Sequence, residues 1–182
     1  MNEIKLYQTA AAVDKLIEQV AAALRSRLAA VGIDDPVIIG IHTGGAWLAE
    51  RLHHALGIDA PLGTLDISFY RDDYTRIGMN PQVRPSRIPF SIDNRHIILV
   101  DDVLQTGRTI RAAMNEIFDY GRPASIILAT LVERGGRELP IEPDVVGIRP
   151  VIEPGEQITL TGPSPLELVV GQSKTAARKR QK

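Results

Sequence analysis

Residues Ile97 to Thr109 read IILVDDVLQTGRT, and this stretch decides the fold. Four apolar residues run directly into two adjacent carboxylates, Asp101 and Asp102, and then into a loop carrying Thr106, Gly107 and Thr109 at the mouth of a helix. A short continuous apolar run of this kind fits a strand buried on both faces. A glycine-containing loop that opens a helix offers free backbone N–H groups and the positive end of the macrodipole, which suits phosphate. The threonine hydroxyls add donors, Gly107 lets the backbone come close to an anion, and the two acids suit acceptance of hydrogen bonds from sugar hydroxyls. Together these features describe a site for a ribose 5-phosphate. Paired acids at a strand end also occur in magnesium and phosphoacceptor sites, or simply as a solvated terminus. The Gly-x-x-x-x-Gly-Lys and Gly-x-Gly-x-x-Gly patterns of other phosphate-binding folds do not occur in the chain.

Outward from this stretch, helices and strands alternate. Thr9 to about Ala30 places Val13, Leu16, Ile17, Val20, Leu24 and Leu28 at helical spacing before Gly32. Pro36 to Ile41 is a buried-strand candidate, ended by Gly44 and Gly45, and Ala46 to Leu56 resumes the helical period. Gly63 to Tyr70 alternates apolar and polar residues as a strand does. A polar connection of about 25 residues follows, Arg71 to Arg95, with Pro81, Pro85 and Pro89; connections this long are often lids or small hairpins. His96 to Val100 is the third strand, Thr109 to Tyr120 a helix, Ala124 to Val132 the fourth strand and Val145 to Ile148 a short fifth. This alternation predicts an α/β fold, an open parallel sheet flanked by helices, with a flexible loop or ribbon over the site. Right-handed crossovers bring the carboxyl ends of the strands to one edge, where open α/β sheets bind ligands. Three strand ends stand out: His42 to Gly45, Asp101 to Thr109, and Glu133 to Arg137.

Composition narrows the chemistry. The 182 residues fit one domain, read as 1–172 with a basic, disordered tail at 173–182. The absence of cysteine excludes thiolate catalysis and Cys-ligated metal sites. His53, His54 and His96 read as surface or packing residues, and no metal site of the protein's own is expected. The sequence holds no apolar run of membrane-span length, and MNEIKLYQTA does not resemble a signal peptide, so a cytoplasmic protein with no membrane partner is expected. The net charge of −1 is uneven: Lys174, Arg178, Lys179, Arg180 and Lys182 lie in the tail, leaving 16 basic against 22 acidic residues in the body. That body is a poor sequence-independent nucleic-acid binder.

VDDVLQTGRT resembles the phosphoribosyl-pyrophosphate (PRPP) motif of class I phosphoribosyltransferases. With SFYRDD, GRPASI and ERGGRELP in the same order, the chain from about Ile4 to Arg149 is similar to the uracil phosphoribosyltransferases that also regulate the pyrimidine operon by transcriptional attenuation. The resemblance implies the class I fold and the reaction of uracil with PRPP to give UMP and pyrophosphate, with Mg2+ accompanying PRPP. It further implies a homodimer or higher oligomer and possible binding of the operon leader RNA.

Onto this sequence the resemblance carries Asp101 and Asp102 as the ribose-contacting acids. Val103, Leu104, Gln105, Thr106, Gly107, Arg108 and Thr109 become the 5-phosphate loop, and Thr43, Gly44 and Gly45 after His42 the pyrophosphate loop. Arg71, with Arg84 and Arg87 beside it, belongs to the closing connection. Val146, Gly147 and Ile148 lie on the uracil side, and Arg134, Arg137 and Arg149 are candidates for anion or RNA binding; salt bridges to Glu133 or Glu138 are the ordinary alternative for Arg134 and Arg137.

Two departures from the family pattern bear on function. Such proteins usually carry a basic residue and then Thr-Arg-Gly in the pyrophosphate loop, where this chain has His42-Thr43-Gly44-Gly45; losing a charge-assisted donor costs about 1.5 to 3 kcal/mol, so a weakened transferase is expected. The first-helix stretch that contributes to RNA binding in the family reads here Glu18, Gln19, Ala21, Ala22 and Ala23, a poor phosphate surface. A nucleotide sensor without leader-RNA binding, and a purine phosphoribosyltransferase of the same fold, are the alternative readings.

Overall fold

Pro36 to Ile41 is buried at all six positions, as a strand covered on both faces must be. Its side chains divide by parity: Val37, Ile39 and Ile41 enter one hydrophobic cluster and Ile38 the other. The same alternation places Ile97 and Leu99 on one face and Ile98 and Val100 on the opposite one. In the computed structural model, which describes residues 4–67 and 85–172, these two stretches lie side by side in the middle of a five-stranded parallel sheet.

The elements in chain order are β1 (Lys5–Gln8), α1 (Ala10–Val31), β2 (Pro36–Ile41), α2 (Gly44–Leu56), β3 (Gly63–Leu65), β4 (His96–Leu104), α3 (Arg108–Tyr120), β5 (Ser125–Glu133), β6 (Val145–Ile148), β7 (Glu156–Thr161) and β8 (Glu167–Gln172). The parallel sheet has the order β3-β2-β4-β5-β6. α1 and α2 cover one face through Val13, Val20, Leu24, Leu48 and Leu52; α3 covers the other through Ile110, Ala113 and Ile117. α1 starts where expected because the Thr9 hydroxyl accepts the Ala12 N–H at 3.4 Å.

The structure corrects the sequence reading in four places. A second sheet, antiparallel with order β1-β8-β7, joins the N-terminal strand to a C-terminal hairpin. Ile158, Leu160, Leu168 and Val170 of that hairpin are buried in the α1–α2 cluster, so the chain beyond Pro150 is part of the core. The predicted strand at Gly63 to Tyr70 pairs only as far as Leu65, although Ile67 stays buried; Ser68 to Tyr70 lie outside the described residues.

The long polar connection is also less open than its composition suggests. Ile88, Phe90 and Ile92 recur at period two and pack on the α3 face, and Thr64 and Arg87 exchange backbone hydrogen bonds at 2.8 Å. The Arg87 side chain is exposed. The closing-loop residues Arg71 and Arg84, like the tail 173–182, lie outside the described residues. Finally, β4 does not stop at Val100: its ladder with β5 continues through Asp101 paired with Thr130, Val103 with Val132 and Leu104 with Glu133. Backbone pairing is indifferent to side-chain charge, so the apolar run ended before the strand did.

Candidate active site

From β2 the chain crosses through α2 to β3 on one side, whereas β4 and its successors build outward on the other. The order of strand addition therefore reverses between β2 and β4, the point where open α/β sheets form a crevice beyond the carboxyl ends. The loop after β2 and the acid pair of β4 meet there. Both loops lead straight into helices, α2 at Gly44 and α3 at Arg108, each one residue or two earlier than the helical period suggested. Two helix N-termini therefore lie at neighbouring positions, the kind of terminus that suits an anion.

The first loop is anchored to the outer strand by the His42 N–H, which donates to Leu65 O at 2.8 Å. Its Thr43 side chain makes no capping bond to α2. Gly44 and Gly45 are buried, and both pack on β4 so closely that no side chain fits without movement. A Cβ on Gly44 would meet the Asp102 carboxylate, and one on Gly45 would stand 2.7 Å from Val100 O. Glycine at these two positions thus brings the loop backbone against the acid pair.

Asp101 is 5% exposed, and its Oδ1 accepts the Asp102 N–H at 3.0 Å. Asp102 is half-buried and reaches toward the first loop. Of the residues expected in the second loop, Val103 and Leu104 belong to β4, and Leu104 is core at 1% exposure. The loop proper is Gln105 to Gly107. Thr106 Oγ1 accepts the Arg108 N–H at 3.2 Å, and Gly107 takes a φ of 90°, a left-handed conformation that favours glycine. The Arg108 side chain turns away to Glu138, with Nε to Oε2 at 2.6 Å. Thr109 sits in the first turn of α3.

Val146, Gly147 and Ile148 form the half-buried outer strand β6, paired in parallel to β5. Arg137 and Arg149 both bind Glu133, at 2.5 Å and 2.8 Å, so the ion-pair alternative holds for Arg137, and Arg149 shares the same carboxylate. Arg134 donates its backbone N–H to Leu104 O at 2.9 Å, and its Nε is buried without a hydrogen-bond partner. Sequence reasoning treated Glu133 and Glu138 only as neutralising partners, yet each fixes an arginine beside the second loop. Their spacing in ERGGRE carried that signal. The histidines pack as expected: His53 Nε2 lies 2.7 Å from Ala60 O and His96 Nδ1 2.8 Å from Ser125 Oγ.

A buried acidic network lies on the α3 face. The Asp66 N–H donates to Ser86 Oγ at 2.9 Å, and Ser86 in turn hydrogen-bonds Glu116. Burial pushes the Glu116 carboxyl above its ordinary range; the Ser86 bond opposes this, while Asp66 and Asp119 add to it.

The phosphoribosyl transferase domain family matches residues 6–160. The chain is 59% identical over 160 residues to the bifunctional protein PyrR of Nitrosococcus oceani, covering 87% of this chain and 90% of that protein. It is 57% identical over 154 residues to the PyrR of Pseudomonas aeruginosa, covering 85% and 91%. Among solved structures, the hypoxanthine phosphoribosyltransferase of Trypanosoma cruzi superposes with a TM-score of 0.68 at 21% identity, over 93% of this chain and 97% of that one. The purine phosphoribosyltransferase of Pyrococcus horikoshii gives 0.60 at 30% identity, over 82% and 98%.

Proposed function

For a chain that belongs to the phosphoribosyltransferase family and, within it, to the PyrR proteins, we propose that the β2–β4 crevice joins uracil to PRPP and that UMP held in the same crevice governs a regulatory role in pyrimidine gene expression. The observation that carries this reading is the contact between the first loop and the acid pair of β4 at the switch point. Gly44 and Gly45 bring one helix N-terminus against Asp101 and Asp102, and the other helix N-terminus follows directly from the same strand.

In this reading Gln105 to Gly107 and the first turn of α3, with Thr106, Arg108 and Thr109, hold the 5-phosphate through backbone N–H groups. Thr43 to Gly45 hold the pyrophosphate, and Asp101 and Asp102 hold the ribose hydroxyls between them. Val146 to Ile148 offer backbone groups to the amide edge of uracil. The reaction breaks the bond from the ribose C1 to pyrophosphate and forms one to the uracil nitrogen, through a state with positive charge on the ribose. A carboxylate pair beside that carbon stabilises the charge, and most of the acceleration comes from positioning and electrostatics. Arg71, in the connection outside the described residues, is assigned to pyrophosphate contact during closure. Among the described residues no group of three or more His, Asp or Glu side chains gathers around a metal position. Two carboxylates facing a pyrophosphate loop fit a magnesium ion that arrives with PRPP, retains several waters and neutralises pyrophosphate charge when bound.

The absence of a cationic side chain at Gly44 lowers turnover relative to a dedicated uracil phosphoribosyltransferase. On α1, Ala21 is core, and the neighbouring Glu18, Gln19, Ala22 and Ala23 present no basic surface. Leader RNA, if bound, therefore engages another face of a homodimer or higher oligomer. No helix among the described residues is long and apolar enough to cross a membrane, and the proposed setting is cytoplasmic.

Incubating the protein with PRPP and magnesium plus uracil, hypoxanthine, guanine or orotate in turn tests the assignment: UMP formation from uracil alone is expected. Inosinate or guanylate as the main product would replace it with the purine reading. Binding of UMP and PRPP without turnover would leave a nucleotide sensor. A UMP-dependent shift of pyrimidine leader RNA, titrated against salt, decides the RNA role.

A further inference from the structure

The Gln105–Gly107 loop is held from outside by the segment that follows β5. Arg134 N–H donates to Leu104 O at 2.9 Å, Arg137 Nη1 to Gln105 O at 2.5 Å, and the Glu138 and Leu139 N–H groups both to Thr106 O at 3.0 Å. Three successive carbonyl oxygens are thereby committed to that segment. A loop that binds an anion through N–H groups needs its carbonyls engaged elsewhere, because any carbonyl facing the anion would repel it.

Arg137 supplies the one side-chain donor in that set, and it does not stand alone. Its Nη2 contacts Glu133 Oε1 at 2.5 Å, while Glu133 Oε2 accepts from Arg149 Nε at 2.8 Å. Glu133 and Arg137 are only 18% and 25% exposed, so solvent screens this pair less than it screens Arg149 at 67%. The planar fork of Arg137 spans two acceptors at once, the loop carbonyl and the carboxylate.

We propose that Glu133 is a positioning residue for the 5-phosphate loop: it aims Arg137 at the Gln105 carbonyl and so fixes the loop's N–H groups toward the phosphate. This rests on the phosphate-site assignment made above, and it gives Arg137 a role different from direct anion capture. The two roles predict opposite signs. If Arg137 and Arg149 were themselves anion ligands, Glu133 would be their competitor, and removing its charge would tighten binding. If Glu133 positions the loop, removing its charge weakens binding.

The test is calorimetric titration of the full chain with ribose 5-phosphate and, separately, with inorganic pyrophosphate, for wild type, Glu133→Gln, Arg137→Lys and Arg137→Ala. Glu133→Gln is expected to lower affinity for ribose 5-phosphate by about tenfold, the scale of one charge-assisted hydrogen bond. Pyrophosphate affinity should stay unchanged, a selectivity that general destabilisation would not produce. Arg137→Lys should lose as much as Arg137→Ala, since an ammonium cannot span both acceptors. Tighter or unaltered ribose 5-phosphate binding by Glu133→Gln overturns the proposal; should that variant fail to fold, wild-type affinity in Arg137→Lys overturns it instead. Wild-type protein that binds neither ligand would instead refute the functional assignment on which the proposal stands.

Discussion

Asp102 and Gly44 touch across the crevice between β2 and β4. A Cβ on Gly44 would fall 2.5 Å from the Asp102 carboxyl carbon and closer still to Oδ2, well inside contact distance. The Asp102 side chain is short, so it has little freedom to yield. Gly44→Ala should therefore act through Asp102, reducing kcat/KM for UMP formation by about tenfold, the size of a modest overpacking cost. Asp102→Ala should cost about a hundredfold or more, by loss of transition-state electrostatics. A double-mutant cycle separates this from an independent effect on pyrophosphate: the double variant should be little worse than Asp102→Ala alone, and full additivity would contradict the coupling.

Glu116 makes stability depend on pH. The residue is 8% exposed, its Oε2 has no hydrogen-bond partner, and its pKa is raised by burial above the ordinary 4.5. The folded state then holds the proton more tightly than the unfolded state. Stability from this group is complete below the ordinary value and is lost as pH rises through it toward the folded value. Glu116→Gln should stabilise the protein at pH 7 by about 1 kcal/mol, and the gain should vanish on acidification below the ordinary value. Urea unfolding of both proteins across that range checks the sign.

Thr130 lies in β5 opposite Asp101, is 0% exposed, and its hydroxyl lacks a partner. A buried hydroxyl without a hydrogen bond is a desolvation cost, and valine fills nearly the same space. Thr130→Val is expected to raise unfolding free energy by about 1 kcal/mol. A shift of the urea midpoint with unchanged slope would show it.

Leu168 tests whether the C-terminal hairpin belongs to the core. It is 0% exposed and packs in the cluster beneath α1 and α2. Leu168→Ala should cost about 3 kcal/mol through lost burial and a residual cavity, whereas an accessory hairpin would lose under about 1 kcal/mol. Thermal and urea unfolding distinguish the two.

The continuous apolar runs at Pro36–Ile41 and Ile97–Val100 and the helical period of Thr9–Ala30 are local patterns, so the five parallel strands and three helices were legible before any coordinates. The hairpin was legible too: Ile158 and Leu160, then Leu168 and Val170, keep period two on either side of the proline-rich turn at 162–165. This period lies beyond the family motifs, which end near Arg149. The packing role of Ile88, Phe90 and Ile92 was obscured by the prolines around it.

The sequence by itself determined the chemistry of the site: two acids followed by a threonine- and glycine-containing loop at a helix start, and a second glycine loop after an earlier strand. These are properties of neighbours along the chain, and short-range geometry suffices to read them. Only the tertiary structure decided which partners they meet. Gly44 against Asp102, and Arg137 shared between Gln105 and Glu133, join residues brought together by parallel strand pairing and by the segment that wraps back over the loop. An arginine in a sequence has a charge but no acceptor; packing supplied two acceptors here, the Gln105 carbonyl and the Glu133 carboxylate, and they are the basis on which we propose a framing role for Arg137 in place of direct anion capture.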